Sequence, residues 1–364
     1  MSGENIKVSI ITVSYNAAAT IEQTICSVVN QTYDNIEYIM IDGKSTDSTC
    51  DIIEKYKESI DYYVSEPDNG IYDAMNKGIY HATGDIIGII NSDDWYEEDA
   101  VEKAVNCFRN SDAELVYGKI WNICENGTRR CSIKKPLNQL WYSMMIPHPS
   151  VFVRKNVYEK YGIFNTEYNI AADHDLILRF LCRGVKFAYI DEIIANFRYG
   201  GVSTKKALEC AKEAKIIRMK YVDYCPEKEK ALVQIENKYR TAEFTAAISE
   251  NPLALYFVLE RKFKDVKDGI VIFGTGVWGE RLCQVLLQAG IHVRFFADND
   301  REKWGQELRG IKIEKPQILS YGMANVLIAV RNHDEEISGQ LCGYGNDGLN
   351  WISIDQMIKE WTYA

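Results

Sequence analysis

The chain has 364 residues, with 42 Lys and Arg against 52 Asp and Glu, so its formal net charge at pH 7 is −10. At roughly 150 residues per domain, this length predicts two to three domains with at least one sizeable core. The negative charge and the lack of a long basic run argue against nucleic acid as a partner. Ten cysteines are scattered without a zinc-binding spacing, which predicts reduced thiols in a cytoplasmic protein.

The sequence has neither a secretory signal pattern in its first residues nor a run of about 18 apolar residues. It therefore predicts a cytoplasmic protein without a transmembrane span. If a lipid-borne molecule is the substrate, we expect peripheral contact with the inner face of the membrane.

Residues 6–90 alternate short apolar runs with amphipathic stretches, which predicts βαβ units on a mostly parallel sheet. Strands are predicted over residues 8–13, 36–41, 62–65 and 86–90. After the candidate N-cap Thr20, the residues Ile21, Ile25 and Val28 fall on one face of a predicted helix.

The strand over 86–90 ends in Asn91-Ser92-Asp93-Asp94, which places polar groups at the carboxyl edge of the sheet, where open α/β folds bind ligands. Carboxylates on such a turn can hold Mg²⁺ or Mn²⁺ against a diphosphate. The same residues could instead be an Asp-rich turn before a helix that begins near Glu97. Asp42, after the second strand, is equally compatible with ordinary turn chemistry.

Two longer runs resemble a known family. They are VSIITVSYNAAATIEQTICSVVNQTYDNIEYIMIDGKSTDST and SEPDNGIYDAMNKGIYHATGDIIGIINSDDW, and together they resemble the nucleotide-binding half of family-2 glycosyltransferases of the GT-A fold. The resemblance is dense up to residue 95 and looser to about residue 205. It implies an α/β domain with a mostly parallel sheet flanked by helices.

The resemblance implies a donor site for a nucleoside-diphosphate sugar. Tyr15 would pack on the base, and Val13 and Ser14 would contribute backbone contacts. Asp42 would accept a hydrogen bond from the base.

The resemblance also implies a site for Mn²⁺ or Mg²⁺. Asp93 stands at the last position of the family's DXD motif and would ligate the ion, and Asp94 would support it or contact the sugar. Asn91 stands where the family often has Asp, and it would contact the ribose or the metal. His148 is a further candidate for contact with the metal or the diphosphate, although a lone histidine is more often structural.

A transferase also needs a base for the acceptor hydroxyl, and a carboxylate can serve. The block from Ile170 to Arg179 resembles the family's Glu-Asp motif at the head of a helix, with Asp173 at the position of the catalytic base. Ala172 replaces the usual Glu. Asp173 and Asp175 could instead stabilise the start of a helix. The stretch from Arg198 to Ser203 resembles a loop that closes over donor and acceptor.

Residues 203–264 are rich in Ala, Glu, Lys and Leu at helical spacing, with breaks at Pro226 and Pro252. This pattern predicts two or three connecting helices and is typical of a solvated spacer. The segment is also a candidate surface for a homodimer, although its spacing forms no sustained heptad.

A second α/β unit is predicted from residue 269. Gly274-x-Gly276-x-x-Gly279 lies between a predicted strand and helix, and Asp298 ends the next strand, as the dinucleotide fingerprint requires. Two readings remain open, a bound nucleotide and a purely structural module. The fingerprint alone would also allow an NAD(P)-dependent oxidoreductase.

We therefore predict a GT-A domain over residues 1–202, a helical connector over 203–264 and a Rossmann-like domain over 265–364. The family resemblance implies an inverting, metal-dependent hexosyltransferase. It would move a sugar, preferably from a UDP-sugar, to a hydroxyl of a glycan or lipid-linked acceptor in cell-surface polysaccharide synthesis. The alternatives are the oxidoreductase and a nucleotide-sugar-binding protein without turnover.

Overall fold

The computed structural model describes residues 5–124, 127–263, 266 and 268–361. The chain divides into two compact units, Met1–Glu236 and Asn237–Ala364. The predicted domain limits stay a prediction. Within the described ranges, every helix is too short or too polar to span a bilayer.

The first unit is built from alternating strands and helices. Its strands are β1 (Val8–Ser14), β2 (Ile36–Asp42), β3 (Tyr62–Ser65), β4 (Ile86–Asn91), β5 (Trp95–Tyr96), β6 (Leu115–Ile123), β7 (Arg129–Cys131), β8 (Phe152–Arg154) and β9 (Phe187–Arg198). Its helices are α1 (Ile21–Val29), α2 (Thr49–Glu54), α3 (Ile71–His81), α4 (Ala100–Arg109), α5 (Lys155–Tyr161), α6 (Ala172–Cys182), α7 (Val202–Lys205) and α8 (Ala207–Tyr221); α9 (Lys228–Glu250) contains the boundary between the units.

The strands described in the first unit form one sheet in the order β3-β2-β1-β4-β8-β6-β9-β5, with β7 paired to β6. The four N-terminal strands in this order are mutually parallel, whereas β8 is antiparallel to both of its neighbours. The predicted α/β class with a mostly parallel sheet is confirmed.

The core of the first unit lies on both faces of this sheet. Alternate residues of a strand point to opposite faces, so Ile10 packs in one apolar cluster and Ile11 in the other. Every residue of β1 is buried. The mostly apolar run of β1, in which even Ser9 and Thr12 are fully buried, is thus the mark of a central parallel strand covered on both faces.

The helix α8 does not behave as a solvated spacer. It packs against α6, and its residues Ala214, Ile217 and Tyr221 are buried. The expectation of a spacer rested on composition, which is dominated by the exposed residues of this helix. The helix is part of the first unit's core.

The second unit contains a smaller sheet. Its elements are α10 (Pro252–Lys262), β10 (Ile270–Phe273), α11 (Val277–Gln288), β11 (Val293–Ala297), β12 (Glu307–Leu308), β13 (Ile311–Glu314), β14 (Ala324–Ile328), α12 (Asp334–Gly343), β15 (Leu349–Ser353) and α13 (Ile354–Glu360). In the described residues, the strand order is β12-β13-β11-β10-β14-β15, and all pairs except β12 with β13 are parallel. The predicted strand, glycine turn and helix at residues 270–288 are present.

Candidate active site

Three parallel strands of the first unit end side by side at the predicted donor site. Ser14 at the end of β1 is paired with Asp42 at the end of β2, and Val13 is paired with Asn91 at the end of β4. Because the carboxyl ends of parallel strands open on one edge of the sheet, these four residues meet there.

Asp42 is fully buried and is the centre of a hydrogen-bond network. Its Oδ1 accepts hydrogen bonds from the hydroxyls of Ser14 and Ser45, and its Oδ2 accepts them from the backbone N–H of Ser45 and the hydroxyl of Ser65. Burial alone would raise the pKa of Asp42, but these donors outweigh it and lower the pKa. The carboxylate fixes the turn after β2. Its predicted hydrogen bond to a base stays a prediction, and it would have to displace one of these donors.

Tyr15 and Asp68 flank Gly43, beside the Asp42 network. The Tyr15 side chain is 64% exposed, and a Cβ on Gly43 would come within 3.4 Å of its ring. The same Cβ would collide with Oδ2 of Asp68, whose Oδ1 accepts a hydrogen bond from the N–H of Gly70. An exposed ring and a carboxylate therefore lie on either side of Gly43. The sequence analysis missed Asp68 because the Pro-Asp-Asn-Gly segment has the composition of an ordinary loop.

The turn after β4 carries the predicted metal-binding residues. Asp94 is fully buried, and its Oδ1 accepts a hydrogen bond from the N–H of Arg198. Its Oδ2 has no hydrogen-bond partner among the described residues. Burial, together with the neighbouring charge of Asp93, holds the pKa of Asp94 well above its usual range. This burial suits a supporting role for Asp94 better than a sugar contact.

Asp93 lies closer to the surface than Asp94 and faces the segment after β9. Burial raises the pKa of its carboxyl, and the positive charges of Arg198 and Lys205 oppose that rise. A Cβ on Gly201 would lie 3.5 Å from Asp93 Oδ2, so the predicted closing loop passes beside this carboxylate. Arg198 donates a hydrogen bond to the backbone oxygen of Asp93 and packs over the Trp95 ring.

The donor atoms at this turn suit a divalent cation that is shared with a phosphate ligand. Within the described ranges, no three or more His, Cys, Asp or Glu side chains converge to hold a metal by themselves. Asp93 offers a carboxylate, and the buried Oδ1 of Asn91 has no hydrogen-bond partner in the described part of the chain. Mg²⁺ is commonly held by one or two protein carboxylates, with substrate phosphates and water completing its shell. The residues present therefore fit the predicted cation.

Asp173 and His148 line one small cavity in the first unit, together with Phe164, Tyr158 and apolar residues. Burial raises the pKa of Asp173 to about 6 and lowers the pKa of His148 to about 4. Near neutral pH, the cavity thus holds a carboxylate with a high proton affinity beside a neutral imidazole. The Nε2 of His148 has no hydrogen-bond partner among the described residues. Its predicted metal contact stays a prediction.

Asp173 and Asp175 both lie in the first turn of α6 but have different environments. Asp175 is 1% exposed and is held by Lys220 at 2.9 Å and by the hydroxyl of Tyr221 at 3.0 Å. It therefore joins α6 to α8, as a structural acid would. Asp173 accepts a hydrogen bond from the N–H of His174 and faces the cavity. Of the two acids, only Asp173 lines that cavity.

The first unit is similar in sequence to known proteins. The model of the family described as Glycosyl transferase family 2 matches residues 9–173. A PGL/p-HBAD biosynthesis glycosyltransferase of Mycobacterium bovis is 30% identical over 202 residues, which cover 54% of this chain and 78% of that protein. An uncharacterized glycosyltransferase of Mycobacterium tuberculosis is 31% identical over 182 residues, covering 47% and 68%.

The chain belongs to glycosyltransferase family 2. The predicted enzyme class, a glycosyltransferase acting on nucleotide sugars, is confirmed at this level. The family match ends at Asp173, the residue that faces the cavity.

Two solved structures share the fold of this glycosyltransferase. S. aureus TarS in complex with UDP-GlcNAc has a TM-score of 0.56 at 19% identity, over 68% of this chain and 78% of that one. A mannosyltransferase from Pyrobaculum calidifontis in complex with GDP-Man and Mn²⁺ has a TM-score of 0.52 at 18% identity, over 70% and 79%. They support the GT-A fold that the sequence predicts.

The second unit of the glycosyltransferase has a cavity of its own, of about 550 Å³, at the predicted glycine turn. The family model described as C2185-like, N-terminal, matches residues 266–348. Gly274, Gly276 and Asp298 line the cavity, as does Arg331, which packs over the Trp278 ring and pairs with Asp355.

Two of the predicted C-terminal site residues have roles in the turn itself. A Cβ on Gly279 would collide with the carbonyl oxygen of Gly274, so this glycine permits close packing of helix and turn. Asp298 accepts hydrogen bonds from the N–H and hydroxyl of Thr275 and from the N–H of Asp300. Its predicted role in nucleotide binding stays a prediction, and both of its carboxylate oxygens already have partners within the turn.

Proposed function

We propose that this enzyme transfers a sugar from a nucleoside-diphosphate sugar, preferably a UDP-sugar, to a hydroxyl of a glycan or lipid-linked acceptor, with inversion at the anomeric carbon. The observation that carries the proposal is the position of Asp173, a carboxylate of raised pKa in a cavity shared with a neutral histidine. A base that is ionised near pH 7 and still binds a proton well is what attack by a hydroxyl requires. We place the reaction in cell-surface polysaccharide synthesis.

The donor would bind at the carboxyl edge of β1, β2 and β4. Tyr15 offers an exposed ring on which a base can stack, next to the carboxylate of Asp68. The segment that contains Gly201 passes beside Asp93, since a Cβ on this glycine would lie 3.5 Å from the Asp93 carboxylate.

A divalent cation, Mn²⁺ or Mg²⁺, would be held by Asp93, with Asn91 as the second oxygen donor. When bound, such an ion neutralises charge that develops on a departing diphosphate. One structural neighbour supports the proposed cation, because the mannosyltransferase named above was solved with GDP-Man and Mn²⁺. Arg198, which lies against both Asp93 and Asp94, adds a positive charge at the same place.

In the proposed step, an acceptor hydroxyl oxygen forms a bond to the anomeric carbon while the bond from that carbon to the diphosphate oxygen breaks. The diphosphate leaves with the electron pair of the broken bond. The hydroxyl proton passes to an oxygen of Asp173. The cavity that His148 and Asp173 line has a volume of about 10 Å³, room for about one water molecule, so the Nε2 of His148, which has no partner there among the described residues, would hydrogen-bond a group no larger than the acceptor hydroxyl.

The test is release of nucleoside diphosphate from a panel of UDP- and GDP-sugars with Mn²⁺. EDTA and the Asp93→Ala variant are the controls for metal dependence. Release from one donor, abolished by both controls, would support the proposal and identify the sugar. If a nucleotide sugar binds at the predicted edge but no nucleoside diphosphate is released with any of the acceptors tried, the non-catalytic alternative is favoured.

For the second unit, we propose a nucleotide-binding role at the cavity beside Gly276. No heavy atom lies within 4 Å of a Cβ on Gly276, so this position faces open space at the start of α11. Isothermal titration of the full chain with NAD⁺, UDP and UDP-GlcNAc tests this proposal. Binding that Gly276→Ala removes and Tyr15→Ala leaves intact would assign it to the second unit, whereas binding removed only by Tyr15→Ala would refute it.

A further inference from the structure

A glutamate outside the matched family region holds the turn in front of the proposed base. Glu213 lies on α8, beyond residue 173, where the family match ends. Its Oε1 accepts a hydrogen bond from the N–H of Asn169 at 2.8 Å, and its Oε2 accepts them from the N–H groups of Ile170 and Ala171 at 2.8 and 3.0 Å. A single side chain therefore satisfies three consecutive backbone donors.

These three donors immediately precede α6. The N-cap residue of this helix is Ala171, whose side chain cannot accept a hydrogen bond. The first backbone N–H groups of a helix have no partner within it and are usually satisfied by a capping side chain. Glu213 bonds instead, from a different helix, to the N–H groups of the three residues before α6, and so fixes the turn from which α6 starts.

The same turn also determines where the Asp173 carboxylate lies. Asp173 is two residues after Ala171, and the hydroxyl of Tyr72 donates a hydrogen bond to the carbonyl of Ile170 within this turn. The turn is thus held from one side by Glu213 and from the other by Tyr72. A backbone held at so many points leaves little freedom for a side chain two residues away.

Glu213 also differs in charge from the other titratable side chains that elements other than α6 place near Asp173. In addition to His174 and Asp175 on α6 itself, the titratable groups near Asp173 on other parts of the described chain include Tyr72, His148, Tyr158, Cys210 and Glu213. Burial keeps the pKa of both tyrosines well above 7, raises the pKa of Cys210 to about 11 and lowers the pKa of His148 to about 4. Near neutral pH, these four are uncharged, and Glu213 brings the one additional negative charge of this set.

We propose that Glu213 is a positioning residue for the transfer reaction, which holds residues 169–171 from α8 and thereby aims the Asp173 carboxylate at the acceptor hydroxyl. This inference rests on the proposed function of Asp173 as the base. It makes α8 part of the catalytic unit, although the sequence of this helix is typical of a spacer.

The test compares Glu213→Gln with Glu209→Gln in the full chain. Glu209 is exposed and lies one helical turn before Glu213 on α8, so the two variants change the net charge equally. Hydrogen exchange of the amides of residues 169–171, followed by NMR, reports the hold on the turn without any substrate. We expect faster exchange at these amides in Glu213→Gln and unchanged exchange in Glu209→Gln.

The kinetic readout is release of UDP from UDP-GlcNAc, or of the nucleotide from whichever donor the panel selects, with Mn²⁺. Because a small misplacement of a reacting group can lower a rate by about 10²-fold, we expect Glu213→Gln to lower kcat by roughly 10- to 100-fold with donor KM unchanged. The acid limb of kcat/KM should move to lower pH, because a negative charge near Asp173 is removed. Glu213→Asp keeps the negative charge, but its shorter side chain should not reach the N–H groups of residues 169–171. This variant should therefore lose turnover, while the acid limb of kcat/KM should stay at the wild-type pH.

The inference would be overturned if Glu213→Gln had the same amide exchange, the same kcat and the same acid limb of kcat/KM as the wild type. It would also be overturned if Glu209→Gln changed these three quantities as much as Glu213→Gln does. Asp173→Asn is measured in parallel to separate this failure from failure of the proposed function. Full turnover in Asp173→Asn would refute the base itself. If Asp173→Asn loses turnover and Glu213→Gln keeps the wild-type turnover, only the positioning role is refuted.

Discussion

Asp173 and His148 face the same cavity, and burial shifts their pKa values in opposite directions, to about 6 and about 4. The histidine is therefore neutral when the aspartate becomes ionised, so it provides no counter-charge for the carboxylate. The carboxylate keeps a high proton affinity, which a base for a hydroxyl requires. The imidazole is left to act by hydrogen bonding.

Asp173→Asn should lower turnover by roughly 10²–10⁴-fold and leave donor affinity nearly unchanged, because the base contacts the acceptor rather than the nucleotide. In the wild type, kcat/KM should fall below about pH 6, where Asp173 becomes protonated. Steady-state kinetics across pH and titration calorimetry with UDP and Mn²⁺ measure the two quantities. An Asn variant with wild-type turnover would remove Asp173 from the mechanism.

The same substitution should change stability with a pH-dependent sign. Between about pH 4 and 6, folded Asp173 holds a proton that the unfolded chain has released, so its contribution to stability falls as pH rises through this range. Asp173→Asn should thus have a Tm a few degrees above the wild type at pH 7.5, and the gain should vanish near pH 4.

His148 acts in the opposite sense, because the unfolded imidazole gains a proton between about pH 6.5 and 4 while the folded one stays neutral. As pH falls from about 6.5 to 4, the Asn variant should therefore lose stability more steeply than the wild type, in which protonation of Asp173 partly offsets the effect of His148. Calorimetric scans of both proteins would contradict this account if the Asn variant were the less stable one at pH 7.5.

Tyr15→Ala should weaken binding of the nucleotide by roughly 5- to 150-fold, since stacking of a base on an aromatic ring contributes about 1–3 kcal/mol. The ring is exposed, so the Tm should stay unchanged. Tyr80 is 84% exposed and offers a matched control, as Tyr80→Ala should alter neither property. Equal affinities for Tyr15→Ala and the wild type in calorimetry would place the base elsewhere.

Asp93→Asn should remove the dependence of nucleotide affinity on Mn²⁺, because it replaces the carboxylate at the surface of the turn with a neutral amide. Asp94→Asn is the matched comparison. Asp94 is fully buried and one of its oxygens is already bonded to the N–H of Arg198, so an amide of the same shape should preserve Mn²⁺ binding. Titration of UDP with and without Mn²⁺ measures the coupling. Similar losses in both variants would contradict the separate roles assigned to the two aspartates.

In the second unit, Gly279→Ala should destabilise the fold, because its Cβ would collide with the backbone of Gly274. Gly276→Ala should be nearly neutral for stability, since it faces open space and its φ of −72° suits alanine. Thermal unfolding distinguishes the two variants. A neutral Gly279→Ala would show that the helix and turn are not packed as described.

The N-terminal half of the fold was predictable because its signals are local. Apolar runs such as that of β1 mark strands covered on both faces, and polar residues such as Asn91 mark where strands end. The observed strands extend one residue past the predicted ends at Ser14, Asp42 and Asn91, because each of these polar residues still pairs in the sheet. Composition misled for α8, where few buried residues are interspersed among many charged ones.

The contacts within the site were less predictable because they join distant parts of the chain. The sequence indicates Asp42 and Asp173 as site residues, but it does not show that Ser14 and Ser65 occupy the oxygens of Asp42. Glu213 gave no signal at all, since its partners are backbone N–H groups that every residue type presents. The clustering of His148 with Asp173 likewise depends on how α6 packs.

The most direct test of the account is multiple-turnover release of nucleoside diphosphate from the UDP- and GDP-sugar panel with Mn²⁺, by the wild type and Asp173→Asn side by side. The account predicts release from one donor, its loss in EDTA, and a decrease of at least about 10²-fold in the Asn variant. Metal-dependent release that is equally fast in both proteins would contradict the account.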